Sequence, residues 1–397
     1  MHISNRQLFQ QNLAIPADVP DALEIEKAEG IYLFTDRGEK YIDLVSGVSV
    51  SNIGHSHPAV VEAVKLQTEK YMHLMVYGKY IQSPQVQLAG LLSSVLPEHL
   101  NSVFLVNSGS EAIEGALKLA KRMTARTEII AFKDAYHGST HGALSILGNE
   151  EMKSAFRPLL PNIKFLDYNN TEQLNNITDK TACVVVEAIQ AEAGIIIPTS
   201  HFMEKLDTKC KETGCVLIVD EIQMGFGRTG KLFGFEHFNI KPDIVCFAKG
   251  MGGGMPIGSF VSSKENMRLL THNPSLGHIT TFGGHPVSSA AALASLKIIL
   301  YEELALKANK KGKTIAEKLQ SHKKIKEIRQ IGLMLGVELK YQYSASKMVK
   351  ILQKNKLIVD QFLFNNSSFR IAPPLTISAE EIELVIKKVT ESLDELK

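Results

Sequence analysis

The sequence predicts an α/β fold: a mostly parallel sheet flanked by helices, with a smaller α+β layer built from the two ends of the chain. Three observations carry this. Through the middle of the chain, short apolar runs alternate with longer amphipathic stretches, as parallel strands joined by covering helices require. Several of those runs are β-rich on consecutive rather than alternate positions, the pattern of strands buried on both faces. The C-terminal part changes texture, with Lys-rich helical stretches enclosing short apolar segments at 333–339 and 356–359.

Taken in order, strands are predicted at 103–106, 128–132, 163–166, 182–187, 215–219, 244–247 and 258–261. Helices are predicted at 110–123, at 199–213 and, after Pro286, over one long stretch to about Leu319. Near the start, apolar residues at 32–34 and 41–44 flank the polar turn Thr35-Asp36-Arg37-Gly38, which reads as a hairpin joining the smaller layer. The chain therefore divides into an N-terminal segment, 1–46, that joins the small domain, a large domain, 47–290, and a C-terminal small domain, 291–397. No internal repeat, low-complexity tract or Pro-rich linker interrupts it, so the two layers are expected to share one continuous interface.

Composition narrows the partners. The 397 residues carry 44 Lys+Arg against 42 Asp+Glu, which leaves no general field for nucleic acid or an anionic membrane and points to a small molecule. The start, from Met1 to Asn12, is polar, and no later run is long and uncharged enough to span a bilayer, so a cytoplasmic protein is expected. Cys183, Cys210, Cys215 and Cys246 form no CxxC pair; they read as small hydrophobes in a reducing compartment rather than as a zinc or disulfide site, and no metal is expected.

Four motifs lie just beyond separate strands. Asn107-Ser108-Gly109-Ser110-Glu111-Ala112 opens a helix; its small residues and free N–H groups suit a phosphate, although an ordinary N-cap explains them equally well. Asp220-Glu221 ends a buried strand, where ligands of open α/β sheets collect; a helix cap or a metal ligand would also account for Asp220. Lys249 ends another such strand and is followed by Gly252-Gly253-Gly254. Burying a lone ammonium is expensive, so a Schiff base or a side chain reaching solvent is expected there. Tyr136-His137-Gly138 offers an aromatic face, or a packed core tyrosine beside a hydrogen-bonded histidine. Together a phosphate cradle, an aromatic platform, an acid and a lysine are the parts that pyridoxal 5'-phosphate (PLP) needs from a protein.

With these residues the chain resembles the class III aminotransferases of PLP fold type I, the ornithine-, acetylornithine- and 4-aminobutyrate-like group, over nearly its whole length. The signature runs from Asp220 through Gln223-Met224-Gly225-Phe226-Gly227-Arg228-Thr229-Gly230 to Pro242-Asp243 and Ala248-Lys249-Gly250. Further matches are Gly54-His55-Ser56-His57-Pro58, Glu187-Ala188-Ile189-Gln190-Ala191-Glu192, Thr280-Thr281-Phe282-Gly283-Gly284 and Phe369-Arg370-Ile371-Ala372-Pro373-Pro374-Leu375. The resemblance implies that Lys249 holds PLP as a Schiff base and moves the proton of the transfer, while Asp220 faces the ring nitrogen. It implies that Gln223 bonds the ring hydroxyl, that Ser108, Gly109 and Ser110 bind the phosphate, and that Tyr136 stacks on the ring. Thr281 would reach the phosphate of a second subunit, which makes the protein a homodimer with shared sites. Arg370 would clamp the carboxylate of 2-oxoglutarate, Glu192 would mask that clamp when an ω-amine is bound, and Thr280 would join the substrate contacts.

One position departs from the family pattern. Ornithine, acetylornithine and 4-aminobutyrate enzymes usually carry an arginine directly after the His-Gly, and here Ser139 stands there. The sequence therefore supports ping-pong transfer of the ω-amine of an ornithine- or acetylornithine-like donor to 2-oxoglutarate, with an amine or ω-amino acid:pyruvate transaminase as the alternative and an aminomutase behind both. Tyr77, Lys79 and Tyr80 are candidates for the donor pocket. A non-catalytic ligand-binding protein on the same fold, or a nucleotide-binding module built on the Gly-Ser loop, would leave Asp220 and Lys249 without a role.

Overall fold

The computed structural model describes residues 4–16 and 22–397, so residues 1–3 and 17–21 of the predicted N-terminal segment lie outside the described residues. A seven-stranded sheet dominates, in the order Ser102–Val106, Gly258–Ser262, Ile244–Phe247, Val216–Asp220, Thr181–Glu187, Glu128–Phe132, Ile163–Leu166. Gly258–Ser262 runs antiparallel to both its neighbours, and the other ladders are parallel. All seven strands predicted from sequence are present.

The continuous apolar runs have the cause inferred for them. Val184, Val186, Leu217, Val219, Val245 and Phe247 face one core, while Cys183, Val185, Val216, Ile218, Ile244 and Cys246 face a second. Side chains alternate across a strand, so a strand covered on both sides must be apolar at every position. The second core lies under the helix Gly109–Thr124, which buries Ala112, Ile113, Ala116, Leu117, Leu119 and Ala120. Gly115 lets that helix sit close, since a Cβ there would fall 2.3 Å from the Phe260 ring. The helix Ser200–Thr213 is capped by Thr199, whose hydroxyl accepts from the Phe202 N–H, and stops at Gly214 with φ of +63°.

The long helix predicted after Pro286 is instead two, Pro286–Tyr301 and Leu304–Gln320, separated by Glu303 at φ of +52°. The first buries residues around most of its circumference, from Pro286 to Ile299, whereas the second is Lys-rich and buries only one stripe, Leu304, Ala308, Gly312, Ile315 and Leu319. One straight rod cannot present both surfaces to their different neighbours, and the chain turns between them.

The ends of the chain build two smaller sheets. The predicted hairpin is present as Tyr32–Thr35 paired with Lys40–Asp43. It is extended on one side by Ile25–Glu29 and on the other by Leu357–Ile358, parallel to Lys40–Asp43. The antiparallel sheet Ile325–Ile331, Met334–Leu339, Ser368–Ile371, Asp360–Gln361 completes this layer. Of the segment read as one apolar unit at 356–359, only Leu357–Ile358 forms a strand, and the chain passes directly into the other small sheet at Asp360–Gln361.

Arg228 ties the layers together. Fully buried, it donates from Nη1 to the carbonyls of Leu333 (3.0 Å) and Pro373 (2.6 Å) and from Nη2 to Asn52 Oδ1 (2.6 Å). Burial pulls its guanidinium down to about 9, against the opposing charge of Asp43. Asp43 in turn accepts from the Val45 and Ser46 amides and lies 2.8 Å from His55 Nε2. It thereby anchors a left-handed turn in which Ser46, Gly47, Val48 and Ser49 have φ of 55°, 60°, 62° and 60°. That conformation costs about 1–2 kcal/mol for each non-glycine residue, offset by the anchoring at Asp43 and by the Ser46 hydroxyl, which donates to the Ala372 carbonyl at 2.7 Å.

Candidate active site

The carboxyl ends of Ser102–Val106, Glu128–Phe132, Thr181–Glu187, Val216–Asp220 and Ile244–Phe247 open on one side of the sheet. There the loops that follow them enclose a cavity of about 460 Å³. Ser108, Gly109, Ser110, Tyr136, Asp220, Gln223 and Lys249 all line it. These residues come from separate strand ends, and the parallel order of the strands is what gathers them.

The Gly-Ser loop is both a helix cap and a cradle. Ser108 Oγ accepts from the Glu111 N–H (3.2 Å) and its carbonyl from the Ala112 N–H (3.1 Å). The amides of Gly109 and Ser110 remain as N-terminal donors of a 16-residue helix, where an anion is favoured. Space is kept by two glycines: a Cβ on Gly109 would lie 2.9 Å from Ile222, and one on Gly138 (φ of +127°) would lie 2.1 Å from Ser110 Oγ. Asn107 closes the outer edge, its Nδ2 donating to Glu111 Oε2 and Thr280 Oγ1, each at 2.9 Å.

Asp220 is buried with both oxygens engaged: Oδ1 accepts from the Ile222 N–H (2.9 Å) and Oδ2 lies 2.7 Å from His137 Nδ1. His137 is the hydrogen-bonded core residue expected from sequence, but its partner makes it a brace for the acid. The neighbouring strand end supplies Glu187, which also lines the cavity and accepts from the amides of Tyr136 and Ala191. Burial, with Asp220 adding its charge, pushes the Glu187 carboxyl well above the usual range. Glu187 was legible by the same signal as Asp220, an acid ending a wholly apolar strand, and was not singled out. Glu221 points away from the cavity and accepts from the amides of Gly234 (2.7 Å) and Phe235 (2.6 Å).

Lys249 stands at φ of +47°, two residues beyond the end of its strand at Phe247. Burial holds its ammonium below the ordinary lysine range, helped by Arg370 and opposed by Glu192, Asp220 and Glu187. The glycines behind it have divided tasks. Gly253 packs against Ser295, where a Cβ would approach to 2.9 Å, and only Gly254 of the three borders the cavity, with open space around it. Room near the lysine therefore comes mainly from Gly254. On the cavity wall, Gln223 Nε2 is buried without any hydrogen-bond partner. A free acceptor-seeking amide, free helix N–H groups, a buried acid and a lysine shifted toward neutrality fit PLP.

Arg370 and Glu192 lie apart from this lining but form a buried pair. Arg370 Nη2 donates to Glu192 Oε1 at 2.8 Å, with the side chains 1% and 7% exposed. Arg370 Nε and Nη1 have no hydrogen-bond partner. Tyr136 is half-buried, its hydroxyl 3.2 Å from that of exposed Ser139. The remaining sequence candidates fall elsewhere. Thr280 and Tyr77 border a second cavity of about 690 Å³, while Lys79, Tyr80 and Thr281 are exposed. Thr281 is not brought to the cavity of its own chain.

Comparison with known proteins gives this geometry its family. The chain is 40% identical over 367 residues to the acetylornithine aminotransferase of Methanopyrus kandleri, covering 92% of each chain. It is 35% identical over 376 residues to a LysW-aminoadipate semialdehyde/glutamate semialdehyde transaminase of Sulfolobus acidocaldarius, covering 94% of this chain and 95% of that one. Among solved structures, the ornithine aminotransferase of Toxoplasma gondii superposes with a TM-score of 0.91 at 27% identity, over 98% of this chain and 93% of that one. A transaminase from the marine bacterium Virgibacillus gives 0.92 at 26% identity, over 98% of both. Residues 15–393 match the model of the class-III aminotransferases, and the chain belongs to that family of PLP-dependent transaminases.

Proposed function

We propose that this enzyme takes the ω-amino group of an acetylornithine- or ornithine-like donor and passes it to 2-oxoglutarate in a ping-pong reaction. The observation that carries the proposal is Arg370: a wholly buried guanidinium paired through one nitrogen to Glu192, with Nη1 lacking any acceptor. A buried donor left unmatched costs about 1–3 kcal/mol, and a substrate carboxylate on Nη1 and Nη2 removes that cost when it displaces Glu192. The names of the relatives in Methanopyrus kandleri and Sulfolobus acidocaldarius support the donor class.

PLP supplies the electron-withdrawing ring and aldehyde on which the amino group is carried. In this reading the chain's own residues do the rest. Lys249 holds the cofactor and, being shifted toward neutrality, takes and returns the proton at the carbon that bears the amine. Asp220, braced by His137, keeps the ring nitrogen protonated. Gln223 turns its unpartnered amide to the ring oxygen, Tyr136 covers the ring face, and Ser108, Gly109 and Ser110 receive the phosphate. Glu192 masks Arg370 during the amine half-reaction and releases it for the oxo acid.

The same reading makes the protein a homodimer in which Thr281 serves the partner's site. It is supported by an exposed apolar surface beside Thr281 that includes Leu276, Ile279 and Phe282. It divides the chain at 1–46, 47–290 and 291–397, supported by the large sheet lying within 102–262 and the two small ones within 25–43 and 325–371. A cytoplasmic location is supported by four unbridged thiols.

Substituting Arg370→Ala tests the clamp. The KM for 2-oxoglutarate should rise about a hundredfold, the scale of a lost charge-assisted pair, with the donor half-reaction changed far less; equal losses in both would refute it. Ser139 favours a second reading, an amine or ω-amino acid:pyruvate transaminase, because a hydroxyl shared with Tyr136 cannot pair with a donor carboxylate as a guanidinium does. A strong preference for pyruvate over 2-oxoglutarate would establish that reading instead.

A further inference from the structure

The Arg370–Glu192 pair rests on a short segment, 360–364, that touches both partners. Asp360 is the cross-strand partner of Arg370 in the ladder between Asp360–Gln361 and Ser368–Ile371, so the two side chains share a face. Asp360 Oδ1 stands 3.5 Å from Arg370 Nε, and neither atom has a hydrogen-bond partner. The Phe362 ring lies under the guanidinium, 4.8 Å from its carbon. From the same segment the Leu363 N–H donates to Glu192 Oε2 (3.1 Å) and the Phe364 N–H to the Glu192 carbonyl (3.0 Å).

These contacts divide the guanidinium into two edges. The outer edge, Nη1 and Nη2, is held by a single prong to Glu192, whose second oxygen is drawn away by Leu363. The inner edge, Nε, faces Asp360. An arginine gripped through Nε and Nη2 by one carboxylate would be closed side-on and hard to release. Here the Nε side belongs to a different acid, and the edge that a substrate carboxylate needs is left almost free.

We propose that Asp360 is a positioning residue for the acceptor's carboxylate: it retains Arg370 Nε, with Phe362 as the floor, while the Nη edge exchanges Glu192 for the oxo acid. The inference rests on the clamp reading of Arg370 given above. The negative charge of Asp360 has little effect on the exchange itself, because one anion replaces another at the same edge. What Asp360 contributes is orientation. Arg370, Glu192 and Asp43 are the charged groups around it, and burial, eased by Arg370 and reinforced by Glu192, raises its carboxyl to about 6.

The test uses the cofactor-loaded enzyme and follows each half-reaction separately, with glutarate as an unreactive dicarboxylate probe. Asp360→Ala should raise the KM for 2-oxoglutarate and the inhibition constant of glutarate about tenfold, the scale of one ion pair lost from a largely buried site. The maximal rate of that half-reaction and all constants of the donor half-reaction should stay within about twofold of wild type. Asp360→Asn keeps an oxygen opposite Nε and should recover most of the affinity. Phe362→Leu, which changes no charge and is mild enough to fold, should weaken both dicarboxylates severalfold. Dicarboxylate constants unchanged in Asp360→Ala, or in Phe362→Leu should the first variant not fold, would overturn the inference, as would an equal loss in the donor half-reaction. An Arg370→Ala enzyme that loses 2-oxoglutarate selectively beside an indifferent Asp360→Ala would sink the positioning role alone; an unselective Arg370→Ala would sink the clamp.

Discussion

Glu221 gives a prediction whose sign and size both follow from its surroundings. Its side chain is wholly buried, and burial raises the carboxyl from 4.5 to about 8, with the Gly234 and Phe235 amides opposing and Asp220 adding to the shift. Because the folded pKa lies above the unfolded one, the folded state holds a proton that the unfolded state has released between those two values. The stability so gained is fully present below pH 4.5 and is lost as pH rises through 8. At 1.36 kcal/mol for each unit, linkage makes wild type about 2.5 kcal/mol less stable at pH 8.5 than at pH 6 through this group alone. Glu221→Gln cannot titrate. It also sets an amide –NH₂ against one of two backbone donors, a pH-independent cost of about 1–3 kcal/mol. Urea unfolding of both proteins at pH 6 and pH 8.5, at one protein concentration and cofactor loading, isolates the difference between the two slopes. If wild type lost no more stability across that interval than Glu221→Gln, the buried carboxyl would be ionised throughout and the reasoning would fail.

Two further substitutions probe the cavity. Gly138→Ala puts a methyl 2.1 Å from Ser110 Oγ at a φ of +127°, so it should displace the loop that receives the phosphate and lower PLP affinity at least about a hundredfold, as overpacking of 1–3 kcal/mol and the lost anion contacts combine; equilibrium dialysis of PLP measures it. Gln223→Leu removes a buried amide that has no partner. The PLP-free protein should be as stable as wild type or more so in a thermal melt, while PLP binding weakens about fivefold, the worth of one neutral hydrogen bond; a destabilised PLP-free variant would show that the amide serves the fold instead.

The large sheet was legible because its strands are buried on both faces, which forces unbroken apolar runs at 182–187, 215–219 and 244–247. The residue that ends each such run is conspicuous for the same reason, and Asp220 and Lys249 were found that way. Glu187 carries the identical signal. The smaller layer was harder to read, since Asp360–Gln361 is two residues long and gains its identity from pairing with Ser368–Ile371 rather than from any pattern of its own. The turn at Glu303 was hidden because both flanking stretches are good helix formers, and only their different neighbours separate them. Asp360 gave no sign in the sequence: the role proposed for it rests on a cross-strand register that no local periodicity encodes.

The buried polar atoms left without partners show where evolution has set stability against function. Among the described residues they include Gln223 Nε2 and His137 Nε2 at the cavity and Arg370 Nε, Arg370 Nη1 and Asp360 Oδ1 at the masked arginine. Each unmatched group opposes folding by about 1–3 kcal/mol, so a sequence selected for stability alone would replace them with apolar side chains. Five of the nine such atoms lie on two surfaces that, in the reading proposed above, keep the cofactor and admit first an amine and then a carboxylate; the other four are His73 Nδ1, Gln85 Oε1, Arg228 Nε and His278 Nε2. A permanent partner would suit the first surface. On that reading the second must stay incompletely matched, because an arginine fully satisfied by Glu192 and Asp360 could not exchange one anion for another within a catalytic cycle.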